Sequence, residues 1–267
     1  AYLYLYQKDE KKAEEALRKA VSLKKDYIDC QAFLGNLLYG QKRFAEAVGE
    51  YDKLVQIDKK LLTSWNSLGW AAYFAGQTDK AIAAFGESKK LNPFLVEAHY
   101  GLGMAYAKKG NLAAAKPELA AAIEIYPYYA HTADLLSLIK ANPGWSDLYL
   151  KLGWSYYYNR QYQPALAAFK DYLAVRADDA SAKRGLAWSN YWVGQLDTAY
   201  AGFRDLLKKD AGDVDAMIGS GWVLFAKNKD QEAMDVLKAA VAKDSKRTDA
   251  LRTIAAISFR AKNFTEA

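Results

Sequence analysis

The chain has 267 residues, 52% of them apolar and 25% charged, with a formal net charge of +6. That balance excludes a disordered polymer, and no apolar run approaches the roughly 18 residues that a membrane span requires. One cysteine, Cys30, excludes an internal disulfide framework, and two histidines, His99 and His131, leave little material for metal or nucleophilic chemistry.

In chain order, Tyr2 to Tyr6 read as the end of a helix. Asp9 to Lys24 read as its partner, with Ala13, Ala16, Leu17 and Ala20 on one side. Three helical hairpins follow, beginning near Ile28, Leu62 and Val96. The clearest is LLTSWNSLGWAAYFAGQTDKAIAAFGESKKLNP, in which Trp65, Leu68, Gly69 and Ala72 share a face of one helix and Ala81 and Phe85 share a face of the next. Gly76 separates the two helices. Steps of 34 residues from Leu68 and Gly69 reach Leu102 and Gly103 in one direction and Leu34 and Gly35 in the other.

Each second helix carries a small residue with a large one four positions on: Ala47 with Tyr51, Ala81 with Phe85, Ala115 with Leu119. The small residue lets two helix backbones approach and the large one fills the space beside it. Pro117 falls beyond the first turn of its helix, where it removes a backbone hydrogen bond and predicts a kink.

The period breaks between Tyr128 and Ser146, which has room for one helix, Ala130 to Ala141, closed by Asn142, Pro143 and Gly144. Leu135, Leu136, Leu138 and Ile139 give it an apolar side suited to capping an array. The register restarts at Leu152 and Gly153. Further hairpins begin near Ser146, Ala180 and Val214, and an incomplete one near Thr248 ends just inside a second helix. The organisation expected is a first array over 1–142, closed by the single helix at 130–141, and a second array over 146–267. Ala1 already falls inside a repeat, so the natural N-terminus is expected to precede it.

This pattern of W-x2-L-G-x2-Y, then A-x3-F, then Pro resembles the tetratricopeptide repeat. The resemblance implies an all-α solenoid, about sixteen helices in antiparallel pairs wound into a right-handed superhelix, with no sheet. Departures from the motif are visible: the closing Pro survives only as Pro93 and Pro127, and the Leu-Gly pair becomes Leu186-Ala187, Ser220-Gly221 and Ile254-Ala255.

Nothing points to catalysis. There is no P-loop, no dinucleotide fingerprint and no metal spacing, so no cofactor and no metal site are expected. His99 stands where Trp65 stands one repeat earlier, which makes it a packing residue. Lys89, Lys90, Lys208 and Lys209 are dispersed between helices, which argues against a nucleic-acid groove. A lone cysteine fits cytoplasm or periplasm equally.

The residue after each repeat glycine and the residue one turn later form a ladder: Trp154 with Tyr157, Trp188 with Tyr191, Trp222 with Phe225. The first array has Asn36 with Tyr39, Trp70 with Tyr73, and Met104 with Ala107. These positions lie off the face that packs on the partner helix, and the family resemblance places them in a concave groove. Lys151 and Arg184 border the rings and suit polar or acidic groups of a ligand. Asp29, Glu97, Asp147, Asp215 and Asp249 open first helices and read as caps. The function expected is a non-enzymatic scaffold that holds a peptide or protein segment. The alternative is a polysaccharide-binding module, its rings stacking on sugars and Asp147, Arg184 and Asp215 bonding their hydroxyls.

Overall fold

The computed structural model describes residues 9–24, 26–126 and 133–265, with side chains described as far as residue 261. Every regular element among these residues is helical. The α-helices are α1 (Glu10–Leu23), α2 (Ile28–Gly40), α3 (Phe44–Ile57), α4 (Leu62–Phe74), α5 (Thr78–Leu91), α6 (Val96–Lys108), α7 (Leu112–Ile125) and α8 (Ala133–Ala141). After a 3-10 turn at Pro143–Trp145 come α9 (Asp147–Tyr158), α10 (Tyr162–Val175), α11 (Ala180–Trp192), α12 (Leu196–Lys209), α13 (Val214–Ala226), α14 (Asp230–Lys243) and α15 (Thr248–Thr265). Tyr2 to Tyr6 and His131 lie outside the described residues, as does the start expected for α8.

The chain divides into two compact units, residues 1–135 and 136–267. In each, consecutive helices pack on one another, the arrangement of an α-solenoid. First helices also touch the next first helix, α4 with α6 in the first unit and α9, α11, α13 and α15 in succession in the second. They therefore line the inner side of each unit, while the second helices stand outside.

The core is the small and large pairing read from the sequence. Ala47, Ala81, Ala115, Ala165, Ala199 and Ala233 are all inaccessible, and so are their partners Phe85, Leu119, Phe169, Phe203 and Leu237, with Tyr51 nearly so. The Phe85 ring reaches between two first helices because Gly69 and Gly101 present no side chain to it.

Six hairpins turn in one way. The second residue after the first helix takes a positive φ at Lys42, Gly76, Gly110, Arg160, Gly194 and Asn228. Its N–H donates to the carbonyl three residues back, and the next N–H donates five back, as Lys42 to Tyr39 and Arg43 to Leu38 do. This is the Schellman arrangement, which satisfies the carbonyls that a helix end leaves open.

Two expectations are corrected. The turn expected between Thr248 and a following second helix is absent among the described residues, because α15 runs unbroken through Thr265. The cap reading of the first-turn carboxylates is narrowed: Asp29, Glu97, Asp147, Asp215 and Asp249 all stand in first turns, where they complement the helix dipole, and Asp249 accepts from the Ala250 N–H at 2.9 Å. Side-chain N-cap bonds come from Asp9, Asn111, Asp179 and Asp213, which accept from the backbone N–H of Lys12, Ala114, Ala182 and Ala216, whereas the helices opened by Asp29, Glu97 and Asp147 have no side-chain cap bond. α7 is one continuous helix with Pro117 inside it.

Candidate functional site

The ladder lies on the first helices. Tyr39, Trp70 and Tyr73 in the first unit and Lys151, Trp154, Tyr157, Arg184, Trp188, Tyr191, Trp222 and Phe225 in the second are all half-buried. Their burial has a definite cause. Trp70, Trp154 and Trp188 each set an edge against the large second-helix residue of their own hairpin, Phe85 at 5.0 Å, Phe169 at 5.2 Å and Phe203 at 4.9 Å. The expectation that these positions lie clear of the packing face is therefore corrected. For Trp70 and Trp154 the missing side chain of Gly69 or Gly153 leaves room for the Phe ring beside the Trp; Ala187 precedes Trp188, and the room for Phe203 comes from Gly219 of the next first helix.

In the second unit the rings form an unbroken network. Trp154 contacts Tyr157 and Tyr158, and Tyr157 contacts Tyr162. Tyr162 stacks on Trp192 with ring centres 5.5 Å apart and planes 14° from parallel. Trp192 reaches Trp222, and Trp222 meets Trp188 at 5.2 Å and Tyr191 at 5.9 Å. Phe225 lies under the Arg260 guanidinium at 4.2 Å. Two hydrogen bonds orient indoles: Trp154 Nε1 donates to Ser181 Oγ at 3.1 Å, and Trp192 Nε1 donates to the Tyr157 hydroxyl at 3.2 Å.

The first unit repeats part of this. Phe44 stacks on Phe74 at 5.1 Å, Tyr39 sets an edge against Phe44 at 5.3 Å, and Trp70 contacts Phe74, Tyr73 and Tyr100. The Lys108 ammonium sits 4.5 Å from the Tyr73 ring centre and donates to the Tyr73 carbonyl. Phe44, Phe74, Tyr158, Tyr162 and Trp192 are the residues that sequence reasoning missed. A signal for four of them was present, because Phe44 and Tyr162, like Phe74 and Trp192, stand 118 residues apart. It shows only when one array is aligned on the other instead of each repeat on the next.

Burial raises the pKa of the Tyr157, Tyr191 and Tyr73 hydroxyls. At neutral pH these groups are therefore neutral hydrogen-bond donors and acceptors. Charge borders the rings in ordered pairs. Arg184 donates to Asp213 at 2.7 Å and lies 3.9 Å from Asp215, while Arg247 joins Asp215 at 2.7 Å to Asp249 at 2.8 Å. Burial opposes ionisation of Asp249, but the bond from Arg247 prevails and holds its carboxyl below the usual range. Arg184 Nε and Trp222 Nε1 are buried atoms without a hydrogen-bond partner.

His99 belongs to a different place and a different role. It is buried, with Nδ1 2.6 Å from Glu118 Oε2 and Nε2 2.9 Å from the Pro93 carbonyl oxygen, and Lys89 bonds the other Glu118 oxygen at 2.6 Å. It locks the end of α5 to α6 and α7. Among the described residues no three metal-ligating side chains cluster, and no helix is long and apolar enough to cross a membrane.

Tetratricopeptide-repeat profiles match residues 1–27, 66–130, 150–192 and 191–248. Over 93 residues the chain is 28% identical to the cell division cycle protein 27 homolog of Caenorhabditis elegans, a match that covers 35% of this chain and 12% of that protein. Among solved structures, a tetratricopeptide repeat protein from Parabacteroides merdae is similar at 16% identity and a TM-score of 0.46, with 96% of this chain and 95% of that one covered. The TPR2AB domain of yeast Sti1, solved as a complex with pHSP90, is similar at 22% identity and a TM-score of 0.39, with 88% and 98% covered. With its repeat period, its paired helices and these profile matches, the chain belongs to the tetratricopeptide-repeat family, whose arrays serve as protein-interaction scaffolds.

Proposed function

We propose that this protein is a non-enzymatic scaffold that holds an extended segment of a partner protein across the aromatic ladder of its first helices. The observation that carries this is the continuous ring network of the second unit, from Trp154 to Trp222, built on helices that adjoin one another and left half in water. Rings of this kind give a large contact area at low entropic cost and dominate protein interfaces. Arg184 and Lys151 border them and set the polar limits of the groove. No cofactor has a role in this reading.

A peptide fits this surface better than a polysaccharide. Sugar hydroxyls need carboxylates and guanidinia with unused bonding capacity, and Arg184, Asp213, Asp215, Arg247 and Asp249 are already joined to one another.

Selection from a phage-displayed library of random dodecapeptides tests the reading. Enriched peptides should bind the wild-type chain and lose affinity in Trp154→Ala, Trp188→Ala and Trp222→Ala. A central ring of the hot-spot type accounts for about 2 kcal/mol or more. Peptides that bind all three variants as well as wild type would place the partner surface elsewhere.

A further inference from the structure

Two features of the aromatic network are not explained by the ladder alone. The first is a stack that recurs in both units. In each, the ring that opens a second helix, Phe44 or Tyr162, stacks on the ring that closes the following first helix, Phe74 or Trp192, with planes 28° or 14° apart. A third ring, Tyr39 or Tyr157, sets its edge against the first at 5.3 Å or 5.7 Å. The second feature is exposure. Phe74 is 49% exposed, Trp192 44% and Tyr158 76%, so these rings keep much of their apolar surface in water beside the helix turns. A stack that served packing alone would be expected to bury that surface.

The surroundings define what can cover it. The backbone of the turn is spent: Arg160 N–H donates to the Tyr157 carbonyl, Gln161 N–H to that of Tyr156, and Lys42 and Arg43 do the same in the first unit. An extended ligand therefore finds no backbone edge to pair with, and recognition falls to ring faces and hydroxyls. A polyproline II segment suits such a surface, since it is rigid before binding, lacks most backbone N–H groups and lays its flat rings on aromatic ones. The Tyr157 hydroxyl accepts from the Trp192 indole, which leaves its own proton to donate to a ligand carbonyl. The turn in each unit also carries an exposed basic residue, Lys42 between Tyr39 and Phe44 or Arg160 between Tyr157 and Tyr162. Carboxylates on the ligand complement that charge.

We infer that each unit carries one copy of the same docking site, Tyr39–Phe44–Phe74 and Tyr157–Tyr162–Trp192, and that the chain binds two proline-rich, acidic segments. The inference rests on the reading of the ladder as a peptide surface and adds the ligand's class and number to it.

Calorimetric titration of the whole chain with an octaproline peptide ending in a diglutamate tests this, with a glycine-serine peptide of equal length and the same ending as control. Two peptides should bind per chain. Trp192→Ala should leave one site, Phe74→Ala one, and the double variant none, with the affected site weakened about tenfold or more. Trp192→Phe keeps a ring in place and should retain both sites. If Trp192→Ala or Phe74→Ala melts early, Phe74→Leu and Trp192→Leu remove the ring and keep most of the volume. Binding no tighter than the control peptide, or a stoichiometry that these variants leave unchanged, overturns the inference. The dodecapeptide selection separates the two readings, because groove-dependent peptides with no response to the proline probe leave the scaffold standing and remove only this site.

Discussion

A Cβ placed on Gly101 would come within 2.4 Å of Cζ of Phe85, a ring with no exposed surface. Real Cβ atoms do not approach so closely, so Gly101→Ala must push the ring or separate α6 from α5. Helix propensity favours alanine by about 1 kcal/mol, whereas overpacking a filled core costs about 1–3 kcal/mol. The expected result is a net loss of stability in urea unfolding. Phe85→Leu should reduce that loss in the double variant, because it withdraws the atoms that clash.

Lys42 and Arg160 hold positive φ angles of 60°, where Gly76, Gly110 and Gly194 stand in equivalent turns. A side chain there costs roughly 1–2 kcal/mol of backbone energy. Lys42→Gly and Arg160→Gly should each raise the unfolding midpoint, by about 1 kcal/mol at most, since glycine also gains entropy in the unfolded chain. Gly194→Ala should lower it. Equal midpoints for all four proteins would show that the turn is not fixed in this conformation.

The buried contact of His99 with Glu118 gives a third test. Glu118→Ala removes the acceptor of both His99 Nδ1 and Lys89 Nζ. A buried donor left without a partner costs about 1–3 kcal/mol, and Glu118→Gln should recover part of that. Thermal unfolding of the two variants measures the difference.

Burial pushes the Tyr51 hydroxyl up to about 12 from an ordinary value of 10.0. The folded chain thus holds this proton more tightly than the unfolded chain. Its contribution is fully present below pH 10.0 and is lost as pH rises toward about 12. Urea midpoints measured across that range should fall, and Tyr51→Phe should remove one tyrosine from the late-titrating part of the phenolate absorbance curve.

The repeat period, the helix starts and the buried pairs were legible in the sequence because each depends on neighbours at fixed spacing. Ile28, Leu62, Val96, Ala180, Val214 and Thr248 open helices where the 34-residue phase puts them. Ala81 with Phe85 is a pattern within one helix, and a helix needs only its own sequence to place residues four apart on one side. The ladder of Trp154, Trp188 and Trp222 was legible for the same reason.

What the ladder touches was decided by the tertiary structure. That Trp192 stacks on Tyr162 and bonds Tyr157 follows from the packing of α11 on α9 and α10, which places residues 30 and more positions apart in contact. That Asp215 joins Arg184 to Arg247 depends likewise on three successive first helices standing side by side. Local spacing sets which face of a helix a residue occupies. Whether that residue becomes a cap, an ion-pair bridge or an exposed ring depends on the neighbouring repeat, where contact free energy is gained only after two helices have met.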